Sequence, residues 1–242
     1  MIKVVFLHIP KTAGTSMMKN MAGHYEESRC LFSSGLADLA YLTDAELAGF
    51  DYIHGHFGYR LFRRLNLPHR KVTTLRHPVD RVVSLYHYHR SVDEPQQMAW
   101  LTKRLTLEEF IDSDHAVIRA NVDNGQTWQL FHDIPPFCRA QYRHWRGRDI
   151  LAQAKENLAG FDVVCIQEHF AESLDTLEER LGLPLNRRAR ANVNAHRPRL
   201  TDVPQRILDK IADRNPLDME LYETAVVRLR SLTARALQPS FA

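Results

Sequence analysis

The start of this chain carries the feature that most constrains its fold: a continuous apolar run that breaks at a proline and passes into a segment of helical character. A strand buried on both faces is predicted over residues 2–9, and a helix over residues 15–21. Residues 10–16 between them read Pro-Lys-Thr-Ala-Gly-Thr-Ser. At a strand–turn–helix junction, free backbone N–H groups and the positive end of the helix dipole converge. The junction therefore predicts an anion-binding loop.

The side chains of this loop suit a phosphate-like group, because a lysine adds a mobile positive charge and hydroxyls add short donors. The loop differs from the nucleotide-triphosphate loop G-x-x-x-x-G-K-[ST], in which the lysine follows the second glycine and a hydroxyl is placed for magnesium. Here the lysine precedes the only glycine of the loop. The predicted anion-binding residues are Lys11, Thr12, Ala13, Gly14, Thr15 and Ser16.

The rest of the chain alternates predicted strands with predicted helices. Further strands are expected over residues 51–57, 71–76 and 161–166, and helices over residues 43–47, 79–90, 170–181, 205–214 and 217–237. This alternation predicts the α/β class, as a P-loop-like three-layer fold with a central parallel sheet flanked by helices. The 242 residues suffice for one such domain, expected over residues 1–242.

Composition excludes some classes of function and location. Lys+Arg 32 against Asp+Glu 29 leaves a net charge of only +3, which does not indicate a nucleic-acid binder. Cys30, Cys138 and Cys165 are far apart, so we expect reduced thiols rather than a disulfide framework or a zinc site. No apolar stretch approaches the roughly 20 residues that cross a bilayer, and no signal peptide precedes the first strand. A cytoplasmic protein without a membrane span is predicted.

A second motif begins where the strand over residues 71–76 ends. Arg76 lies at that strand end, and Ser84 follows about two helical turns later in the predicted helix. A guanidinium fork at the carboxyl edge of a sheet, with a serine hydroxyl from the next helix, can bind a second phosphate. The alternative is that Arg76 binds a carbonyl and Ser84 is an ordinary packing residue.

These two motifs together resemble the sulfotransferases that use 3′-phosphoadenosine-5′-phosphosulfate (PAPS). Residues 6–16 look like their 5′-phosphosulfate loop, and residues 76–84 look like their 3′-phosphate motif. The resemblance is closest to the branch that contains the heparan sulfate 2-O- and 6-O-sulfotransferases and their bacterial relatives, and it extends to residues 167–170 and 215–222. It implies PAPS as co-substrate, with PAP as product.

The segment His54-Gly55-His56 resembles a segment of the 2-O-sulfotransferases in which the second histidine is the proposed base. The resemblance implies His56 as the base and His54 as its supporting neighbour. A neutral imidazole suits this role near pH 7. We expect an extended His-x-His segment to separate the two rings unless Gly55 breaks the strand, so that one ring is structural. Adventitious metal binding and ordinary polar residues at a strand end are the alternatives.

Other candidates lie in less regular segments. Arg197 and Arg199 follow the last predicted strand and helix, where a basic loop is expected to close over the nucleotide; a solvated loop is the alternative. The segment 86–90 is a candidate lining for an acceptor cleft, as are Asn124 and Gln126.

The predicted reaction is in-line transfer of a sulfonate from PAPS to a hydroxyl, with a glycan or glycolipid as the expected acceptor and no metal required. Lys11 is expected to neutralise the charge that builds on the leaving 5′-phosphate. A P-loop kinase of small metabolites is one alternative, although neither a G-K-[ST] order nor an evident magnesium-binding aspartate is present. A non-catalytic nucleotide- or glycan-binding module is the other.

Overall fold

The computed structural model describes residues 2–33, 35, 39, 41–65, 68–93, 97–132, 142–185 and 199–236. Its strands are β1 (Val4–Leu7), β2 (Cys30–Ser33), β3 (Tyr52–Gly55), β4 (Arg70–Leu75) and β5 (Val163–Ile166). Within the described residues they form one five-stranded sheet in the order β2-β3-β1-β4-β5, and all the pairs are parallel. β1 is therefore central, and the loop that follows it leads directly into a helix. The predicted P-loop-like α/β architecture is confirmed.

The helices account for most of the remaining described chain. They are α1 (Gly14–Ala22), α2 (Asp44–Gly49), α3 (Arg60–Arg64), α4 (Pro78–Ser91), α5 (Gln97–Thr102), α6 (Leu107–Asp112), α7 (Ala116–Val122), α8 (Gly125–Phe131), α9 (Gly147–Ala159), α10 (Phe170–Leu181), α11 (Gln205–Arg214) and α12 (Pro216–Ala236). Two short 3₁₀ turns span Glu27–Arg29 and Leu200–Asp202.

Alternation along the strands produces the three layers. Val4 and Phe6 face one side of the sheet, where they pack with α1 and α10. Val5 and Leu7 face the other side, where α2, α3, α8, α9 and α12 cover them. A separate apolar cluster joins α4 to α5, α6, α7 and α11. The sheet is thus buried on both faces, as its continuous apolar strands require.

One strand was missed from the sequence. β2 is an edge strand in which Cys30 and Leu31 are partly buried, Phe32 is exposed and Ser33 is buried. Its apolar run is only three residues long, and its position depends on pairing with β3, about twenty residues further along the chain. Local pattern carries little information about such a strand.

The structure also bears on the state of the cysteines and on the presence of membrane-spanning helices. Cys30 and Cys165 are free thiols, whereas Cys138 lies outside the described residues. Among the described helices, none combines the length and the apolar character needed to cross a membrane.

Candidate active site

The anion loop, residues 10–16, leads into the first turn of α1 and has an unusual backbone. Lys11 and Ala13 both adopt positive φ angles, 70° and 67°, a region that costs non-glycine residues roughly 1 kcal/mol or more. The buried Thr12 hydroxyl donates to the carbonyl of Ile9 at 2.8 Å, which holds the turn together. The predicted loop is therefore present, and its strained conformation is held by its own contacts.

The N-terminus of α1 is not capped by a side chain. Ala13 occupies the N-cap position and its side chain makes no capping hydrogen bond. Its carbonyl accepts from the N–H groups of Ser16 and Met17. Within the described residues, the N–H groups of Gly14 and Thr15 have no acceptor, as is usual for a first helical turn. These donors and the helix dipole suit an anion at this position.

The Lys11 side chain extends from the loop towards α4. Its Nζ lies 3.8 Å from the centroid of the exposed Tyr88 ring, a cation–π contact. Burial lowers the pKa of the neighbouring His89 to about 4, with a further contribution from the Lys11 charge. Lys11 thus supplies the positive charge predicted for the loop.

His56 lies beside this loop because β3 and β1 are neighbouring strands. It directly follows β3, and the N–H of His8, directly after β1, donates to the carbonyl of Gly55 at 2.9 Å. The Nδ1 atom of His56 lies 2.9 Å from the carbonyl oxygen of His8. Because a carbonyl only accepts, this contact assigns the proton to Nδ1 and leaves Nε2 with a lone pair. The ring is therefore held in the tautomer in which Nε2 can accept a proton.

Electrostatics also favours a neutral His56. Burial is the main cause of its lowered pKa, and the Lys11 charge lowers the pKa further, while the hydrogen bond to His8 acts in the opposite direction. The imidazole is consequently uncharged near pH 7, the state that a general base requires.

His54 is more deeply buried than His56. Burial, followed by the charge of His56, lowers the pKa of His54 to about 3, and its Nε2 has no hydrogen-bond partner in the described structure. The expectation that the two rings lie apart is wrong, because residues two positions apart on a strand share a face. Both rings pack on the His8 ring, with centroid separations of 4.9 Å for His54 and 4.4 Å for His56.

Arg76 is at the end of β4, as predicted, and its guanidinium joins two parts of the site. Nε donates to Asp80 at 2.6 Å, and Nη1 donates to the carbonyl of Lys11 at 3.0 Å. The side chain is almost completely buried. Arg76 therefore braces the anion loop against α4, and Ser84 is a buried residue of the same helix, about two turns along.

The backbone of Arg76 is itself held by a side chain from α8. Gln126 accepts from the Arg76 N–H at 3.0 Å and donates to the Arg76 carbonyl at 2.9 Å. Gln126 is fully buried, so it supports the site from within rather than lining an open cleft. Asn124 likewise has a structural contact: its side-chain oxygen accepts from the N–H groups of Leu217 and Asp218 at the start of α12.

The last two predicted residues are Arg197 and Arg199. Arg197 lies outside the described residues. Arg199 is exposed, and its N–H donates to Asp202 in the 3₁₀ turn before α11. In the described part of the chain, no hydrogen bond or ion pair joins the Arg199 side chain to the anion loop.

The described residues also contain no group of three or more His, Cys, Asp or Glu side chains arranged to hold a metal ion. The sequence indicated no role for His8, and it indicated Gln126 only as a candidate lining of an acceptor cleft. Their contacts join positions that are far apart in the chain, so no local pattern could have indicated them. The arrangement places a helix N-terminus without a side-chain cap, a lysine and an oriented imidazole at one edge of the sheet.

Comparison with known proteins identifies the family to which the sequence is similar. The model of the sulfotransferase family matches residues 2–223. Among solved structures, the mouse sulfotransferase SULT7A1 complexed with PAP is similar, with a TM-score of 0.37 and 15% sequence identity. That similarity covers 76% of this chain and 60% of the mouse chain, so the chain spans less than two thirds of its length. No curated protein matches the sequence significantly.

Proposed function

Because this chain belongs to the sulfotransferase family, we propose that it transfers a sulfonate group from PAPS to a hydroxyl of an acceptor, a carbohydrate or another polyol. The observation that carries the proposal is the orientation of His56. Its Nδ1 is bound to the His8 carbonyl at 2.9 Å, beside a loop whose helix N-terminus has no side-chain cap.

The donors of the anion loop fit the 5′-phosphosulfate of PAPS. The N–H groups of Gly14 and Thr15 and the dipole of α1 would bind its anionic oxygens. Lys11 would neutralise the charge that develops on the 5′-phosphate oxygen. Donors held in place by the fold are the condition for effective electrostatic stabilisation of a transition state.

PAPS supplies an activated sulfur: the acceptor oxygen forms a new S–O bond as the bond from sulfur to the 5′-phosphate oxygen breaks. His56 accepts the acceptor's proton at Nε2, while its Nδ1–H remains bound to the His8 carbonyl. The resulting imidazolium is adjacent to Lys11, which disfavours the charge and favours return of the proton to solvent.

Arg76 and Ser84 are proposed to hold the 3′-phosphate, which distinguishes PAPS from ATP-like nucleotides. Arg76 is bound to Asp80 and to the Lys11 carbonyl. A 3′-phosphate would therefore compete with Asp80 for the guanidinium, and its occupancy would be coupled to the anion loop through the Lys11 carbonyl. Arg197 and Arg199 remain predicted contacts of the nucleotide.

The acceptor is identified by incubating the protein with radiolabelled PAPS and a panel of polysaccharides, oligosaccharides and glycolipids, with PAP release as a second readout. We expect transfer to at least one acceptor, and His56→Ala should lower kcat by about 10²–10⁴-fold. Its affinity for PAP, measured by calorimetry, should change by no more than about threefold, because the phosphate-binding groups are untouched.

His144→Ala is the matched control, since His144 is exposed and distant in sequence from the site. PAP binding without transfer to any acceptor would favour a non-catalytic binding module. Magnesium-dependent phosphoryl transfer from ATP would favour a kinase. The cytoplasmic location stays a prediction, which cell fractionation tests.

A further inference from the structure

His8 joins the anion loop to the histidine proposed as the base. Its backbone continues the pairing of β1 with β3 by one residue, since its N–H donates to Gly55. Its carbonyl accepts from His56 Nδ1 at 2.9 Å and from Gln129 Nε2 at 3.1 Å. These contacts fix the backbone of His8 and therefore the point from which its side chain projects.

The ring of His8 fills the space between His56 and the first turn of α1. It packs on the His56 ring with a centroid separation of 4.4 Å and an interplanar angle of 32°. On its other side, a Cβ added to Gly14 would lie 1.9 Å from two atoms of the ring. The φ angle of Gly14 is not in the left-handed region, so the His8 ring, rather than backbone conformation, requires glycine there.

The ring is neutral where it lies. Burial keeps the pKa of His8 well below its usual value, and the charges of His56, His54 and Lys11 lower it further. It therefore adds no positive charge to the loop, and its contribution is its volume and its stacking surface.

We propose that His8 is a positioning residue whose ring sets the placement of the His56 imidazole relative to the first turn of α1. On the proposed function, this is the placement of the proton acceptor relative to the bound phosphosulfate. The side chain need not touch either substrate, and its effect passes through His56 and Gly14.

The test compares His8→Phe, which keeps a ring, with His8→Ala, which removes it while leaving the backbone hydrogen bonds in place. In the full chain with ¹⁵N-labelled histidine, NMR titration reports the tautomer and the pKa of His56. We expect His8→Phe to retain the Nδ1–H tautomer and the lowered pKa, because the site stays packed. In His8→Ala, water reaches His56, so its pKa should move up towards the ordinary value of 6.5, while the retained bond to the carbonyl of residue 8 keeps the proton on Nδ1.

His144→Ala is the control, and His8→Ser, which also removes the ring volume, replaces His8→Ala if the alanine variant does not fold. An unchanged His56 titration in His8→Ala, or in His8→Ser, would overturn the proposal. Equal perturbation by phenylalanine and alanine would also overturn it, because the ring nitrogens rather than the ring volume would then be responsible.

A double-mutant cycle with Gly14→Ala tests the second contact. The added methyl collides with the His8 ring, whereas in the His8→Ala background it has room. Gly14→Ala should raise the unfolding equilibrium constant at least about tenfold more in the presence of His8 than in its absence. Additive effects would show that the ring does not support this turn.

Both readouts are independent of sulfonate transfer. Failure of PAP to bind in calorimetry would count against the proposed function and leave the His8 result standing. Normal PAP binding with an unperturbed His56 in His8→Ala would overturn the inference about His8 and leave the proposed function standing.

Discussion

Replacing Asp218 by asparagine should strongly destabilise the protein, because this carboxylate is the centre of a buried polar network. Asp218 is fully buried at the start of α12 and accepts from the N–H groups of Gln126 and Thr127 and from the Thr127 hydroxyl, at 3.1, 2.7 and 2.7 Å. Its Oδ2 also lies 3.9 Å from Nη2 of Arg81, whose side chain is buried as well. The carboxylate thus caps α8 and neutralises a buried guanidinium.

The magnitude follows from what asparagine can retain. Its oxygen can still accept both bonds from Thr127, but its NH₂ group then faces the N–H of Gln126, and leaving that donor unpaired costs about 1–3 kcal/mol. Breaking a buried ion pair by removing one partner costs about 3–5 kcal/mol, and the 3.9 Å separation favours the lower end. A total of about 4 kcal/mol corresponds to a Tm lower by about 8–16 °C in a protein of this size.

The assay is thermal unfolding followed by circular dichroism, supported by urea denaturation at constant ionic strength. The control is Asp209→Asn, an exposed residue of α11 whose carboxylate accepts from Gln205, for which we expect a change within about 0.5 kcal/mol. The double variant Arg81→Met/Asp218→Asn should lose less stability than the sum of the single changes, since no uncompensated charge is left. A Tm for Asp218→Asn within about 2 °C of the wild type would refute the reasoning.

Three further predictions concern the site. Lys11→Ala should reduce sulfonate transfer at least about 100-fold with an unchanged circular dichroism spectrum, and near-normal turnover would remove Lys11 from the mechanism. Calorimetry should show PAP binding more tightly than 5′-AMP, and Ser84→Ala should reduce that preference about tenfold; equal affinities in the wild type would contradict the assignment of Arg76 and Ser84 to the 3′-phosphate. His54 has a pKa of about 3 in the folded protein against 6.5 for an ordinary histidine, so stability should fall as pH drops from 6.5 towards 3, by at most about 1.4 kcal/mol per pH unit. His54→Phe should flatten the urea-denaturation profile in that window, and an unchanged slope would count against burial of a neutral ring.

The position of Arg76 could be predicted from the sequence, whereas most of its hydrogen-bond partners could not. Its place at a strand end was readable, because a charged residue ends a segment of high β-propensity two positions before a proline that can begin a helix. Its bonds to the Lys11 carbonyl and to Gln126 were not readable, since these residues are 65 and 50 positions away in the chain. Asp80 is only four positions away, in the first turn of α4, but Arg76 precedes that helix, so helical spacing alone does not predict the pairing.

By itself, the sequence determined the α/β class, the central strand, the anion loop after it and the order of the main helices, because apolar periodicity and residues such as proline and glycine act over a few positions. Only the tertiary structure decided that the half-exposed segment Cys30–Ser33 joins the sheet as an edge strand. It also decided that His54 and His56 share the ring of His8, and that a side chain at position 14 is excluded by that ring. These outcomes depend on which strands become neighbours. Strand pairing is a property of the whole packed chain, and no local window contains it.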